Sequence, residues 1–308
     1  MKLLVTAKVH PDLDGTACTL AYADLLNRIG QSAEGSVFGD LQSEVKYFQH
    51  QQGISLPHAI KKAKYEGFVL VDASSMKGLP DIVRPAKVIE VIDHRVGEPR
   101  KEFPGAKIQN DLIGAAATII VERFQKAGLC PQPDHAKLLY GAIFHNTLNL
   151  LSTNTTDRDR RAIKYLESRF GLTPELARDM FKFSSDLILA DIHKAISDDS
   201  KEFAAFKSAV RAYQLILWRF QPEVWSSQIA AAVGETDALS HCEWSFLNVI
   251  DLKSNTSFIF CPTPAGRAIL SSALSTTFSD SWAALHPALL RKQIMPLLTS
   301  PPVSGSLR

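Results

Sequence analysis

The sequence predicts an α/β protein, in which an N-terminal domain with a parallel sheet and helices on both faces precedes a smaller α/β domain. Three observations lead to this fold class. Residues 1–125 alternate short, continuous apolar runs with amphipathic stretches, which is typical of parallel strands buried on both faces. Residues 111–190 have helical periodicity throughout, and residues beyond 200 return to mixed strand and helix patterns.

The first domain is expected to cover residues 1–188. It is predicted to begin with a strand at residues 2–9 and a helix at residues 15–28, which has apolar side chains on one face. The elements predicted after these are, in chain order, a strand at 36–38, a helix at 41–51, strands at 67–71 and 86–92, and helices at 114–127, 134–150, 157–169 and 174–188.

The second domain is expected to cover residues 198–308, after a linker at residues 189–197. Its predicted elements are strands at 208–218 and 244–252 and helices at 222–232 and 265–274. A tail rich in serine, proline and glycine begins at residue 300 and is predicted to be irregular.

Composition excludes several classes of protein. The 34 lysine and arginine residues nearly balance the 32 aspartate and glutamate residues, so no basic footprint predicts a nucleic-acid partner. The four cysteines form no CxxC pair and no zinc-ligand cluster. No apolar run is long enough to span a membrane, and Lys8, His10 and Asp12 interrupt the apolar start. A cytoplasmic protein without a membrane partner is predicted.

Charged side chains follow each of the three best predicted strands of the first domain. Because ligands bind outside the carboxyl ends of parallel strands, these side chains are expected to share one edge of the sheet. The set comprises four carboxylates, two histidines and an arginine: Asp12, Asp14, Asp72, Asp93, His10, His94 and Arg95. Any single aspartate of this set is equally well explained as a helix N-cap, but four that converge point to a shared cation.

Asp12 and Asp14 offer two hard oxygen ligands, which suit Mg²⁺ or Mn²⁺. A third carboxylate from a neighbouring strand could bridge two ions about 3.5–4 Å apart, as in phosphoryl hydrolysis. A histidine ligand shifts the preference towards Mn²⁺ or Co²⁺, and Arg95 would hold phosphate oxygens. The sequence has no glycine-rich phosphate loop of the P-loop or dinucleotide-binding type.

The motifs around these residues resemble the DHH phosphoesterase superfamily. Residues 5–26, with Pro11-Asp12-Leu13-Asp14, resemble its first motif, residues 69–72 its second, and residues 91–95 the Asp-His-His motif that names the group. Residues 114–118 resemble the small-residue segment that follows, and residues 141–151 the helix that supplies one further aspartate. Residues 200–203 and 290–296 resemble the phosphate-binding segments of the DHHA2 domain.

Within this superfamily the pattern is most similar to the manganese-dependent inorganic pyrophosphatases, the exopolyphosphatases and the prune proteins. The nuclease branch has a glycine-rich C-terminal motif, and this chain has no Gly-Gly dipeptide. The resemblance implies Mn²⁺, or Mg²⁺ or Co²⁺, as one or two ions, and a homodimer through the N-terminal domain. It implies Asp12, Asp14, Asp72 and His94 as metal ligands, with Asp72 bridging, Asp93 as their support, and Lys201 and Arg291 as phosphate-binding residues.

Four positions depart from the pyrophosphatase pattern. Lys8 stands in place of a ligand histidine, Arg95 in place of the second histidine of the naming motif, and Leu290 in place of a basic residue. Asn146 stands in place of the helical aspartate and is a weaker metal ligand. These changes remove negative charge or add positive charge, so one ion position is expected to be weakened, with Lys8 as a fixed cation in its place. His10 and His145 are either stand-in ligands or ordinary surface histidines.

Two functions follow. The first is a metal-dependent phosphohydrolase that cleaves a phosphoanhydride, inorganic pyrophosphate or short polyphosphate, at a cleft between the two domains. Its predicted catalytic residues are Asp72, Asp93, Arg95, Lys201 and Arg291, and its predicted metal ligands include Asn146. The alternative is a catalytically weakened relative that binds phosphate or a nucleotide with one metal ion or none, because loss of an ion removes nucleophile activation.

Overall fold

The structure is a computed structural model that describes residues 1–56, 65–95, 97–205, 208–238 and 241–299. The chain divides into two compact units, Met1–Phe183 and Ser184–Arg308. The tail predicted from residue 300 lies outside the described residues. No helix among the described residues is both long and apolar enough to cross a membrane.

The first unit is built on a five-stranded sheet in which every strand is parallel to its neighbours. The strands are β1 (Lys2–Thr6), β2 (Ser32–Gly35), β3 (Gly67–Val71), β4 (Val88–Asp93) and β5 (Lys107–Asn110). Their order across the sheet is β2-β1-β3-β4-β5. All five residues of β3 are buried, as expected for a parallel strand that is covered on both faces.

Helices flank this sheet. They are α1 (Leu13–Arg28), α2 (Ser43–His50), α3 (Pro99–Glu102), α4 (Ala116–Lys126), α5 (Pro133–Asn146) and α6 (Asp157–Phe170). The next helix, α7 (Pro174–Ala190), begins in the first unit and ends in the second. Most of α1 is buried, because it packs against the sheet and also against α4 and α5. One face of the sheet forms a core with Leu4, Phe68, Leu70, Val91 and Phe103.

The second unit has its own sheet, which is mixed. After α8 (Ile192–Asp198), its elements are β6 (Lys201–Ala205), β7 (Ser208–Leu217), α9 (Pro222–Asp237), β8 (Trp244–Asp251), β9 (Thr256–Phe260), α10 (Pro264–Leu274), β10 (Trp282–Leu285) and α11 (Arg291–Thr299). The strand order is β10-β9-β8-β7-β6, and only the β7–β8 pair is parallel. Every residue of β8, the central strand, is buried.

The predicted fold class is confirmed, and several local predictions differ from the structure. The strand expected at residues 36–38 lies at Ser32–Gly35, and the short strands β5, β6, β9 and β10 were not predicted. The segment expected to be a linker, residues 189–197, is largely helical. Ile192 and Ile196 are buried in the core of the second unit, and this burial explains why the segment is structured. The two units meet in sequence between Phe183 and Ser184, before the boundary that was predicted.

Candidate metal centre

The parallel register brings the ends of β1, β3 and β4 to one edge of the sheet. Val5 pairs with Val69, and Val71 pairs with Ile92. The residues that follow each strand are therefore neighbours in space although they are far apart in the chain. This edge carries the carboxylates of Asp12, Asp14 and Asp72 together with His94.

Asp72 follows β3 in a backbone conformation that few side chains adopt. Its φ is 50°, in the left-handed region, which aspartate and asparagine tolerate better than other non-glycine residues. Its N–H donates to the carbonyl of Ile92 (2.8 Å), which ties the turn to β4. The strained backbone at the end of a buried strand aims this carboxylate into the cluster, as is common at functional sites.

Asp12 and Asp14 lie at the start of α1. Asp12 is the N-cap, and its Oδ1 accepts a hydrogen bond from the Gly15 N–H (3.0 Å), so the helix-cap explanation applies to this residue. Asp14 lies two residues further on, in the first turn of α1, and is fully buried. The cap fixes the first turn of α1 and thereby the position of Asp14.

The first turn of α4 also holds Asp14. The backbone N–H of Ala116 donates to its Oδ2 (2.8 Å), and that of Ala117 donates to its Oδ1 (2.7 Å). These amides are at the positive end of the helix, which favours a carboxylate. The side-chain amide of Asn146, the last residue of α5, donates a further bond to Oδ2 (2.6 Å). Three elements thus orient one buried carboxylate.

His94 follows β4, and its ring is oriented by a backbone carbonyl. Nδ1 lies 3.0 Å from the carbonyl oxygen of Ile113, so Nε2 points into the cluster. Nε2 is 3.4 Å from Asp72 Oδ1 and 3.7 Å from Asp14 Oδ2. Metal-ligating histidines are commonly held in this way, with the second ring nitrogen donating to a carbonyl.

Asp14, Asp72 and His94 fit a divalent cation. Each offers one ligand atom, and the three atoms lie within 4.8 Å of one another. Two donors bound to the same ion at about 2.0–2.2 Å lie about 3–3.5 Å apart, close to the separations around Nε2. Carboxylate oxygens with one imidazole suit Mn²⁺ or a similar ion. These residues are the ones that would hold the metal.

Arg95 supplies a positive charge inside this cluster. Its Nη2 donates to the carbonyl of Asp72 (3.1 Å) and to that residue's Oδ1, and its Nε lies 3.7 Å from Asp93 Oδ1. The side chain is 42% exposed, and it lines a pocket of about 210 Å³ together with Lys8 and His10. The cation that pairs with Asp72 is therefore Arg95, and the expectation that Lys8 takes the place of a weakened ion position stays a prediction.

The charges of the site shift its pKa values. Burial and the neighbouring charge of Asp72 raise the pKa of Asp14 to about 7, and the same two causes raise the pKa of Asp12. Burial acts to raise the pKa of Asp72, but the Arg95 guanidinium and the His94 ring outweigh it and lower the pKa. Desolvation and the proximity of the other carboxylates therefore both favour the neutral forms of Asp12 and Asp14.

The other predicted site residues lie nearby or in the second unit. Asp93 is buried, and its Oδ1 accepts a bond from the His94 N–H (2.7 Å). Lys201 begins β6 and is exposed. Arg291 is buried at the start of α11, where its guanidinium donates to both carboxylate oxygens of Asp199 (2.6 and 3.2 Å).

The two histidines considered as stand-in ligands lie outside the group of three ligand atoms. His10 Nδ1 accepts a bond from the Asp40 N–H (2.8 Å). The His145 ring stacks on Phe181, and its Nε2 is 4.0 Å from Glu44. These contacts resemble those of ordinary surface and helix-face histidines.

Sequence reasoning missed the backbone groups that complete the site. The Ile113 carbonyl and the N–H groups of Ala116 and Ala117 act through atoms that every residue carries, so their residue types give no signal. The thiol of Cys18, 3.5 Å from Asp14 Oδ1, was interpreted only as a small buried side chain. The small-residue segment at 114–118 was the one pattern that pointed to this place.

Known proteins are similar to this chain along nearly its whole length. The manganese-dependent inorganic pyrophosphatase of Bacillus subtilis is 27% identical, over 97% of this chain and 98% of its own. A probable manganese-dependent inorganic pyrophosphatase of an Exiguobacterium species is 28% identical, over 96% of this chain and 97% of its own. No protein-family model matches the chain. The resemblance to these pyrophosphatases is confirmed.

Solved structures share the fold. A Methanococcus jannaschii protein assigned to the family II inorganic pyrophosphatases has a TM-score of 0.69 at 22% identity, over 97% of this chain and 98% of its own. An exopolyphosphatase-related protein from Bacteroides fragilis has a TM-score of 0.52 at 12% identity, over 96% of this chain and 90% of its own. Both cover the two units of the present chain.

Proposed function

We propose that this chain hydrolyses a phosphoanhydride, inorganic pyrophosphate or short polyphosphate, with the help of Mn²⁺ or a similar divalent cation. One observation carries the proposal: the ligand atoms of Asp14, Asp72 and His94 converge within 4.8 Å at the carboxyl edge of a parallel sheet. The names of the similar proteins, manganese-dependent inorganic pyrophosphatases, support both the metal and the substrate class.

The chain's own residues prepare the site for this chemistry. A divalent ion held by these ligands would polarise phosphoryl oxygens and make a water molecule more acidic. The Ile113 carbonyl holds His94 Nε2 towards the ligand position, and Asp93 fixes the backbone of His94. The α4 amides hold Asp14. Asp14 and His94 are thus oriented before the ion arrives, which limits the reorganisation that these two ligands require.

Basic residues would hold the phosphate groups. Arg95 is half-exposed beside the proposed ion position and can present its guanidinium to a phosphate oxygen. Lys201 and Arg291 are assigned the same role by the resemblance. For Arg291 this role requires a phosphate oxygen to replace an oxygen of Asp199. A small phosphorylated substrate is proposed on this basis. The homodimer, the absence of a nucleic-acid partner and the cytoplasmic location stay predictions from the sequence.

A second function has a specific observation in its favour. Arg95 and Asn146 both place hydrogen-bond donors on carboxylate oxygens that would otherwise face a cation. A protein with such a site could bind phosphate or a nucleotide with little turnover. The two functions differ in one measurable quantity, the metal-dependent release of phosphate.

The test measures phosphate release from pyrophosphate, tripolyphosphate and long polyphosphate with Mn²⁺, Co²⁺ or Mg²⁺. The native chain is compared with Asp72→Asn, because asparagine keeps the volume and tolerates the left-handed backbone of this position. The exposed Asp81→Asn serves as the matched control. We expect metal-dependent release by the native chain and the control, and release at background level by Asp72→Asn.

Two results decide between the functions. Release by the native chain on one of these substrates, lost in Asp72→Asn, supports the hydrolase, and the preferred chain length identifies the substrate. No metal-dependent release on any of them contradicts the hydrolase. Calorimetric binding of pyrophosphate by the same inactive sample would then support the binding protein.

A further inference from the structure

The guanidinium of Arg95 occupies the ligand atoms of the proposed metal site. Nη2 donates to Asp72 Oδ1, which is also the Asp72 oxygen nearest to the His94 ring. Nε lies 3.5 Å from His94 Nε2, the nitrogen with which this histidine would bind an ion. The Arg95 side chain therefore contacts one ligand atom of Asp72 and one ligand atom of His94.

A cation and this guanidinium compete for the same atoms. Asp72 Oδ1 can accept a hydrogen bond and also bind an ion, but two positive charges at such a distance repel each other strongly in a buried site. His94 Nε2 binds an ion through a single lone pair, so binding requires this nitrogen to give up any proton that it shares with Asp72 and to be free of the neighbouring Arg95 Nε–H. An ion can bind both ligands fully only after the guanidinium has left them.

The surroundings of Arg95 allow this movement. Its side chain is 42% exposed, whereas those of Asp72 and His94 are nearly buried. It lines a pocket of about 210 Å³ that also contains Asp12 and Gln42. The guanidinium can turn into this pocket, where the Asp12 carboxylate offers a second acceptor, without disturbing the sheet.

We propose that Arg95 is an internal cation that holds the metal ligands in the absence of the ion, and that a divalent cation binds only as the guanidinium is displaced from Asp72 and His94. The inference rests on the proposed metal site but not on the proposed substrate. It makes Arg95 a residue that sets metal affinity, in addition to any contact with phosphate.

The test is calorimetric titration of the purified full-length chain with Mn²⁺, after treatment with a chelator. The native chain is compared with Arg95→Met, which keeps most of the length but removes the charge and the donors, and with Arg95→Lys, which keeps the charge but not the planar fork. We expect the Kd of Arg95→Met to be at least tenfold lower than that of the native chain, with Arg95→Lys between them. A Kd that stays within twofold in Arg95→Met, or that rises, overturns the inference.

A second measurement covers the case in which Arg95→Met does not fold. Native chain with ¹⁵N-labelled arginine is titrated with Mg²⁺, a diamagnetic ion, and the Arg95 Nε–H signal is assigned by its loss in Arg95→Lys. We expect this signal to move as Mg²⁺ saturates the site, and an unmoved signal at saturation contradicts displacement.

Neither of these two measurements involves hydrolysis. If the chain hydrolyses its substrate but the Kd for Mn²⁺ does not change in the Arg95 variants, this inference alone is overturned. If the chain is inactive but the Kd values for Mn²⁺ have the expected order, only the proposed activity is overturned.

Discussion

Asp14 illustrates how single residues determine this site. Its carboxylate accepts hydrogen bonds from the amides of Ala116, Ala117 and Asn146 while it is fully buried. A carboxylate offers about four acceptor positions, so these donors satisfy most of them. An amide at position 146 therefore stabilises the site without an ion, where a second carboxylate would repel Asp14. Asparagine at position 146 is thus a weaker metal ligand than aspartate, but it supports the carboxylate of Asp14 through a hydrogen bond.

A second residue, the partly buried His135 in α5, lies outside the metal triad. Its Nδ1 is 3.9 Å from Asp24 Oδ2, and among the described residues neither atom has a hydrogen-bond partner. Burial lowers the pKa of His135, and the charges of Asp24 and Asp134 oppose this only in part. The unfolded chain, with a histidine pKa of about 6.5, therefore binds this proton more readily than the folded chain.

The sign of the resulting pH dependence follows from this difference. The contribution of His135 to the free energy of unfolding is fully present above about pH 6.5. It is lost as the pH falls below this value, because protonation of the histidine then favours the unfolded chain. We expect His135→Gln to weaken this loss. Urea unfolding at several pH values between about 7.5 and 5.5 would show a smaller decline of the free energy of unfolding in the variant than in the native chain. Parallel declines would show that His135 is not the cause.

At the scale of elements, a glycine sets how closely α5 approaches its neighbours. A Cβ at Gly141 would lie 2.5 Å from the ring of Phe48, in α2, and 3.1 Å from Leu13, in α1. Both neighbours are fully buried and have little room to move. Because Asn146 is at the end of the same helix, the position of α5 also decides the contact with Asp14.

We expect Gly141→Ala to lower the free energy of unfolding by about 1–3 kcal/mol, as overpacking of a core does. Gly234→Ala is the matched control, because this glycine is also helical and a Cβ there would meet nothing within 4 Å. The control should raise stability by up to about 1 kcal/mol through helix propensity. Urea unfolding measures both. Equal effects of the two substitutions would contradict the packing explanation.

At the scale of the whole molecule, each unit has its own sheet and core, and the proposed ion ligands all belong to the first unit. A ligand that binds only the folded state stabilises it by about 2.7 kcal/mol at a hundredfold excess over Kd. The ion is therefore expected to act on the stability of the chain as well as on its chemistry.

We expect Mn²⁺ to raise the unfolding temperature of the native chain and a chelator to reverse the change. Hydrogen exchange measured by mass spectrometry should slow in segments 12–18, 72–74 and 113–118, which hold the ligands and their supports. Asp72→Asn should show neither effect. A rise that persists in this variant would place the ion elsewhere.

Much of the fold was predictable because its signals are local. Apolar runs identified β3 and β4, mixed strand-like segments identified β7 and β8, and periodicity identified the long helices. The strands β5 and β10 are only four residues long, too short for a clear local pattern, and depend on their neighbours in the sheet. Helix α8 has only seven residues, too few for a clear helical periodicity, and it is stabilised by the burial of Ile192 and Ile196 in the core of the second unit.

The sequence by itself determined which residues reach the site, because the order of strands and the position of Asp14, Asp72 and His94 after or beside their ends are properties of the chain. Only the tertiary structure decided how those residues are used. It placed the Arg95 guanidinium on Asp72 and held Asp14 with amides from α4. The physical reason is that these contacts join segments distant in the chain. Their distances depend on packing and on side-chain conformation, which a local pattern does not encode.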